Sequence, residues 1–131
     1  MRSHCLDSSA WIEIAHGGTN ARPFVDAIHD MSQVVISTIT IFEVWKYTMT
    51  HADATRAQLI YELLQQGILV APDAEISIRA AQISIRHKMA MADCLIYATS
   101  QIHRATLWTQ DADFKDLPNV RYFPKQPTPK K

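Results

Sequence analysis

The chain has 131 residues, the length of one domain, with 47% apolar residues and no net formal charge, so it can bury a core without disulfide or metal staples. Zero net charge argues against a protein that coats nucleic acid by charge alone, because such binding rests on Lys and Arg neutralising phosphates. No apolar run approaches the ~20 residues that span a bilayer.

The N-terminal MRSHCLDSS lacks the apolar stretch of a secretory leader, so a cytoplasmic protein is expected. Cys5 and Cys94 lie far apart without CxxC spacing and read as reduced core residues rather than zinc ligands. In chain order, His4–Leu6 is a short apolar strand ending at Asp7. Ser9–His16 reads as a helix closed by Gly17 and Gly18, and Pro23–Met31 as a second helix. Val34–Ser37 (VVIS) is a β-branched buried strand. Helices over Ile41–Thr50 and Ala54–Gln66 follow, the latter stopping at Gly67. Ile68–Ala71 is a third strand closed by Pro72. Asp73–Arg86 is helical, with Ile76, Ala80 and Ile83 along one face. Ala92–His103 is a further helix, Thr106–Thr109 the fourth strand and Val120–Phe123 a short edge strand. The folded domain is expected over residues 1–123, with the Pro- and Lys-rich segment 124–131 disordered.

Short apolar strands separated by helices imply parallel βαβ units with helices on both faces, an α/β fold. In such sheets function gathers beyond the carboxyl ends of the strands. Asp7 ends the first strand, Asp111 follows the fourth, Asp93 opens the helix leading into the fourth, and Glu43 lies within two turns of the second. Asp113 is a fifth acid nearby. Carboxylates packed together raise one another's pKa and oppose folding, and a divalent cation removes that conflict. An all-oxygen donor set favours Mg²⁺, or Mn²⁺, over zinc. Phosphodiester hydrolysis by a metal-activated water is the chemistry such a site suits best.

Each acid also has a simpler reading. Glu43 follows Thr40 at the spacing of a capping box. Asp93 suits a helix cap or first turn, Asp111 and Asp113 suit a polar turn, and Asp7 suits a strand-to-helix cap. The joint pattern is stronger than any member, because all four fall near one sheet edge.

Four segments resemble the PIN domain family. HCLDSSAWIEI is similar to its first motif, a strand running into Asp and then Ser or Thr. ISTITIFEV is similar to the second, MADCLIYATS to the third and TLWTQDADF to the fourth. The resemblance runs from Cys5 to about Tyr122. It implies a three-layer α/β/α sandwich with a mainly parallel sheet, and Mg²⁺-dependent RNA cleavage. It places metal ligands at Asp7 and Asp93, with Glu43 and Asp111 completing the catalytic set and Ser8 and Thr109 as polar neighbours. At this length the chain is most similar to VapC-type toxins of toxin–antitoxin pairs, which implies a homodimer, an RNA substrate and a cognate antitoxin. Ser8 departs from the more common Thr, Trp108 is bulkier than the usual strand residue, and the last motif offers both Asp111 and Asp113 to the metal.

Arg86, His87 and Lys88 are candidate phosphate contacts, or simply basic residues at a helix C-terminus. Lys46 either pairs with Glu43 three residues away or meets substrate. Trp11, Trp45 and Trp108 read as core or interface residues rather than base-stacking platforms. The six histidines show no metal-binding spacing, and no nucleophile elbow or phosphate-cradling glycine loop is present. A haloacid-type phosphatase would need Asp where Ser9 stands. A catalytically silent binding module would have no need of the four acids, all of which are present.

Overall fold

The computed structural model describes residues 3–127. Five strands form one all-parallel sheet: β1 (Ser3–Leu6), β2 (Val34–Ser37), β3 (Ile68–Val70), β4 (Ala105–Thr109) and β5 (Val120–Tyr122). Their order is β3-β2-β1-β4-β5. The chain steps outward from β1 to β2 and β3 on one side, then crosses to β4 and β5 on the other. The gap between β1 and β4 is therefore the topological switch point, where the connections leave in opposite directions and open a crevice at the strand ends.

Six helices cover the sheet: α1 (Ser8–His16), α2 (Ala21–Ala27), α3 (Thr38–His51), α4 (Ala54–Leu64), α5 (Ala74–His87) and α6 (Met91–Ile102). Strand alternation divides the core in two. Cys5, Val35 and Leu107 face α5 and α6, where they meet Ile76, Ile83, Ile96 and Tyr97. Leu6, Val34 and Ile36 face the other layer and meet Trp11, Phe24, Val44 and Leu64. Every residue of β2 is buried, as a VVIS strand covered on both faces should be. This is the α/β/α sandwich expected of the sequence, and both cysteines are free and buried within it.

Two expected helices start or stop three or more residues away from the observed ones, and the others differ by one or two. The second ends at Ala27 rather than Met31, because Asp30 accepts from the backbone nitrogen and hydroxyl of Ser32 and turns the chain into a 3₁₀ turn over Met31–Gln33. The third begins at Thr38 rather than Ile41, directly off β2, because Ser37 caps it through the Ile39 nitrogen. Thr40 therefore lies inside the helix, its hydroxyl buried without a hydrogen-bond partner. The Thr40–Glu43 capping box is thus ruled out, and Glu43 is left free of any capping duty.

Residues 124–127 carry no regular structure, and the first of them is tied to the body. Asn20 Nδ2 donates to the Pro124 carbonyl at 2.8 Å, and Phe123 N donates to the Thr109 carbonyl at 2.9 Å. The rest of the segment expected to be disordered, 128–131, lies outside the described residues. Among the described residues no helix is long and apolar enough to cross a membrane.

Candidate metal centre

Register brings the first two acids together. Leu6 pairs with Trp108, and Asp7 N donates to the Trp108 carbonyl, so Asp7 emerges beside Thr109 at the switch point. The chain turns into α1 at Asp7, whose Oδ1 caps the helix by accepting from Ala10 N at 3.0 Å and also takes the Ser9 hydroxyl at 2.7 Å. Its Oδ2 accepts from Thr109 Oγ1 at 2.6 Å. A carboxylate offers about four acceptor positions. Three are occupied, so Asp7 has one direction left for a further ligand, on Oδ2.

Thr109 works in both directions, since its oxygen also accepts from Asp111 N at 2.8 Å. Asp111 in turn caps the 3₁₀ turn over Ala112–Phe114 by accepting from Asp113 N at 2.9 Å. Asp93 lies in the first turn of α6, where Ala90 rather than Asp93 occupies the cap position. Glu43 lies in the second turn of α3 and takes the Ser8 hydroxyl on Oε1 at 2.6 Å.

Asp7, Glu43, Asp93 and Asp111 line one cleft of about 690 Å³, together with Ser8 and Ser9. Single carboxylate oxygens of Asp93, Asp111 and the exposed Asp113 all lie within 4.8 Å of one another. Asp113 therefore joins the cluster beside Asp111, while Asp7 and Glu43 stand outside that trio and line the cleft with Asp93 and Asp111. Burial pushes the Asp93 carboxyl up to about 7, with Asp111, Glu43, Asp7 and Asp113 adding repulsion. Burial also lifts Asp7 to about 6, against the pull of the Thr109, Ser9 and Ala10 hydrogen bonds, and Asp111 lifts it further. A set of hard oxygen donors at this spacing, mutually repelling and without thiolate or imidazole in the trio, fits Mg²⁺ or Mn²⁺. Asp93, Asp111 and Asp113 would hold the ion, with Asp7 reaching it through Oδ2.

Two of the basic candidates, Arg86 and Lys88, lie away from the cleft, whereas Lys46 lines an adjoining pocket that shares Ser8, Ile12, Glu43 and Tyr47 with it. Arg86 and His87 line a separate cleft against Tyr97 and Leu117. Lys88 is the left-handed residue that ends α5, with φ 53°, and does not line the acidic cleft. Lys46 sits over the Phe42 ring, 5.8 Å from its centroid. Trp11 is fully buried, Trp45 packs edge-on against Tyr61, and Trp108 donates to His4 and stacks on Phe123.

Sequence reading missed Ser9, Glu13, Asn20, Gln110 and Lys125, all of which belong to the cleft or its rim. Ser9 Oγ receives Gln110 N at 3.0 Å, and Gln110 Oε1 receives Asn20 Nδ2 at 2.9 Å. Ser9 was legible as a second hydroxyl in the Asp-Ser-Ser step. The others carry no signal until the loop after α1 and the end of β4 are in contact.

The PIN domain profile matches residues 4–120. The chain belongs to the PIN domain family. No curated protein sequence matches it, whereas solved structures align over almost its whole length. A chain of a toxin–antitoxin complex from Klebsiella pneumoniae superposes with a TM-score of 0.78 at 26% identity, covering 91% of this chain and 96% of that one. VapC20 of Mycobacterium tuberculosis, described as a toxin that cleaves the sarcin–ricin loop, gives 0.75 at 16% identity, covering 90% and 97%. A DNA-bound VapBC from Salmonella typhimurium gives 0.74 at 17%, covering 95% and 98%. The two matches at lower identity speak to the fold alone. In this PIN domain the acids sit at the sheet's switch point, where the fold opens its crevice.

Proposed function

We propose that this PIN domain is a metal-dependent endoribonuclease that acts as the toxin of a toxin–antitoxin pair. The reading rests on one observation: Asp7, Glu43, Asp93 and Asp111, from four separate places in the chain, share one cleft, and oxygens of two of them, Asp93 and Asp111, lie within 4.8 Å of each other and of Asp113. The toxin role is supported by the likeness to a chain of the Klebsiella pneumoniae toxin–antitoxin complex, at 26% identity over almost the whole of both chains. A small antitoxin, a cytoplasmic setting and a homodimer belong to the same proposal.

Asp93 and Asp111 are the principal ligands in this reading, with Asp113 beside them and Asp7 completing the set. A bound Mg²⁺ supplies positive charge for the phosphate and lowers the pKa of a coordinated water. The chain's own residues arrange the rest. Three hydrogen bonds fix the Asp7 carboxylate, so its remaining lone pair has a set direction. Ser8 holds Glu43 by one oxygen, leaving the other to receive the proton of an attacking water. Thr109 links Asp7 to the Asp111 backbone, so both acids keep their places when the cleft fills.

The test is incubation of the purified chain with total RNA in Mg²⁺ or in EDTA, beside Asp93→Asn, followed by sequencing of new ends. Discrete cuts made by the wild type in Mg²⁺ and absent in both other arms are expected. RNA left intact by the wild type in Mg²⁺ and Mn²⁺, or cut equally well by Asp93→Asn, would refute the proposal.

A further inference from the structure

A polyanion entering this cleft meets Asp7, Glu13, Glu43, Asp93 and Asp111 along its walls. Metal charge answers the acids it touches, but the RNA backbone beyond the ion still needs a cation, since phosphates are held in register by Lys and Arg. Arg86 and Lys88 do not line the cleft, and Lys46 lines the adjoining pocket beyond Glu43, on the other side from the loop after α1. Among the described residues that line the cleft, Lys125 is the single Lys or Arg.

Lys125 is exposed, and the residue before it is held by more than chance contact. Asn20 spends both side-chain hydrogens at once, one on Gln110 Oε1 at 2.9 Å and one on the Pro124 carbonyl at 2.8 Å. Asn20 is itself fixed, because its backbone nitrogen donates to Glu13 Oε2 at 2.8 Å. The Glu13 carboxylate lies where a Cβ on Gly18 would fall, so a larger residue there would push that carboxylate off the Asn20 nitrogen. On the other side Gln110 bonds to Ser9, which donates to Asp7. Just before the lysine, Phe123 is bonded to Thr109 and stacked on Trp108, with Arg121 over the Trp108 ring. Pro124 fixes its own φ, which limits the backbone torsion between Phe123 and the tethered carbonyl. A chain of side chains thus runs from the acid cluster to the residue preceding Lys125.

We propose that Lys125 is an RNA-binding residue of the acidic cleft, contacting a backbone phosphate of the incoming strand, and that Asn20 is the positioning residue that holds it there. This rests on the nuclease reading for its substrate class. The contact is to phosphate, so it adds affinity for any sequence and carries no base preference.

The test uses the full chain and a short fluorescein-labelled single-stranded RNA, with binding read by anisotropy in Ca²⁺ across a salt series and cleavage read in Mg²⁺. Lys125→Met should weaken binding about tenfold, the loss of one charge-assisted contact. It should also lower the slope of log Kd against log salt by about 0.7, the value for one phosphate on a single strand. In cleavage, KM should rise while kcat holds. Lys125→Arg should restore both affinity and slope. Asn20→Ala should raise KM in the same direction, and the Asn20→Ala/Lys125→Met double variant should be no worse than Lys125→Met, because the two act through one contact. Melting curves of all variants check that each is folded.

An unchanged affinity and salt slope in folded Lys125→Met would overturn the proposal. So would tighter Mg²⁺ binding with unaltered RNA affinity, which would make the lysine a stand-in for the ion. Additive losses from Asn20→Ala and Lys125→Met would remove the role given to Asn20. A wild type that binds RNA but leaves it uncut would sink the nuclease reading alone, and the Lys125 comparison would still decide this one. A wild type with no affinity for RNA would sink both.

Discussion

Replacing Asp93 with Asn should make the metal-free protein more stable and the Mg²⁺-loaded protein less stable than the wild type. Asp93 is surrounded by Asp111, Glu43, Asp7 and Asp113, and its carboxyl is raised from 3.8 to about 7. A group whose folded pKa lies above its unfolded one holds its proton longer in the folded chain. The stability tied to that proton is complete below the unfolded value and is lost as pH rises through the window between the two, so the penalty is full only above about 7. The shift would be worth about 4 kcal/mol if the site were dry. Asp93 is only half-buried, so solvent screening reduces this to about 1–2 kcal/mol. In EDTA at about pH 8 that is a gain of roughly 4–8 °C in Tm for Asp93→Asn. At about pH 5 the gap should narrow, because the wild-type carboxyl is then protonated. Mg²⁺ at 100 times its Kd adds about 2.7 kcal/mol to the wild type and less to the variant, which reverses the order. Differential scanning fluorimetry in EDTA and in Mg²⁺ at the two pH values reads all four states. A wild-type Tm unmoved by millimolar Mg²⁺, together with an Asp93→Asn variant that melts lower in EDTA at the higher pH, would refute the reasoning.

Other outcomes are expected from the same geometry. Mg²⁺ affinity, measured by calorimetry, should fall as pH drops from about 8 to 6, because Asp93 and Asp7 must shed protons to bind; a flat profile would place the ion elsewhere. Thr109→Val removes a donor to Asp7 and an acceptor from Asp111, and should cost about 1–3 kcal/mol in urea denaturation while weakening Mg²⁺ binding; a neutral result would show the bridge to be dispensable. Burial pushes the Cys5 thiol up to about 12 and raises that of Cys94. Neither should react with maleimide at neutral pH until urea unfolds the chain.

Much of this could be read before any coordinates. Strand ends were legible because VVIS and TLWT are runs stopped by residues that start helices or turns, and the switch-point rule then names the acids that follow them. The helix start at Thr38 was not, because Ser37 and Thr40 both look like caps and only the strand's length decides between them. Asp113 was left open because register, not spacing, brings it beside Asp93. Arg86 and Lys88 were candidates by closeness in sequence to Asp93. The chain turns between α5 and α6, and that turn leaves Arg86 and His87 in another cleft. Asn20 and Lys125 lie about a hundred residues apart, and no local pattern links a loop amide to a carbonyl that distant.

The double employment of Asp7 bears on how distant relatives of this chain should be judged. A descendant that had abandoned its chemistry would still be held to an oxygen acceptor at that position, since the amide of Ala10 and the hydroxyls of Ser9 and Thr109 would otherwise lose their partner. Retention of an acid at that strand end is therefore a poor witness to activity. The acid that opens α6 is a better one, because there the cap position belongs to Ala90 and the carboxylate is free to drift once nothing is cut.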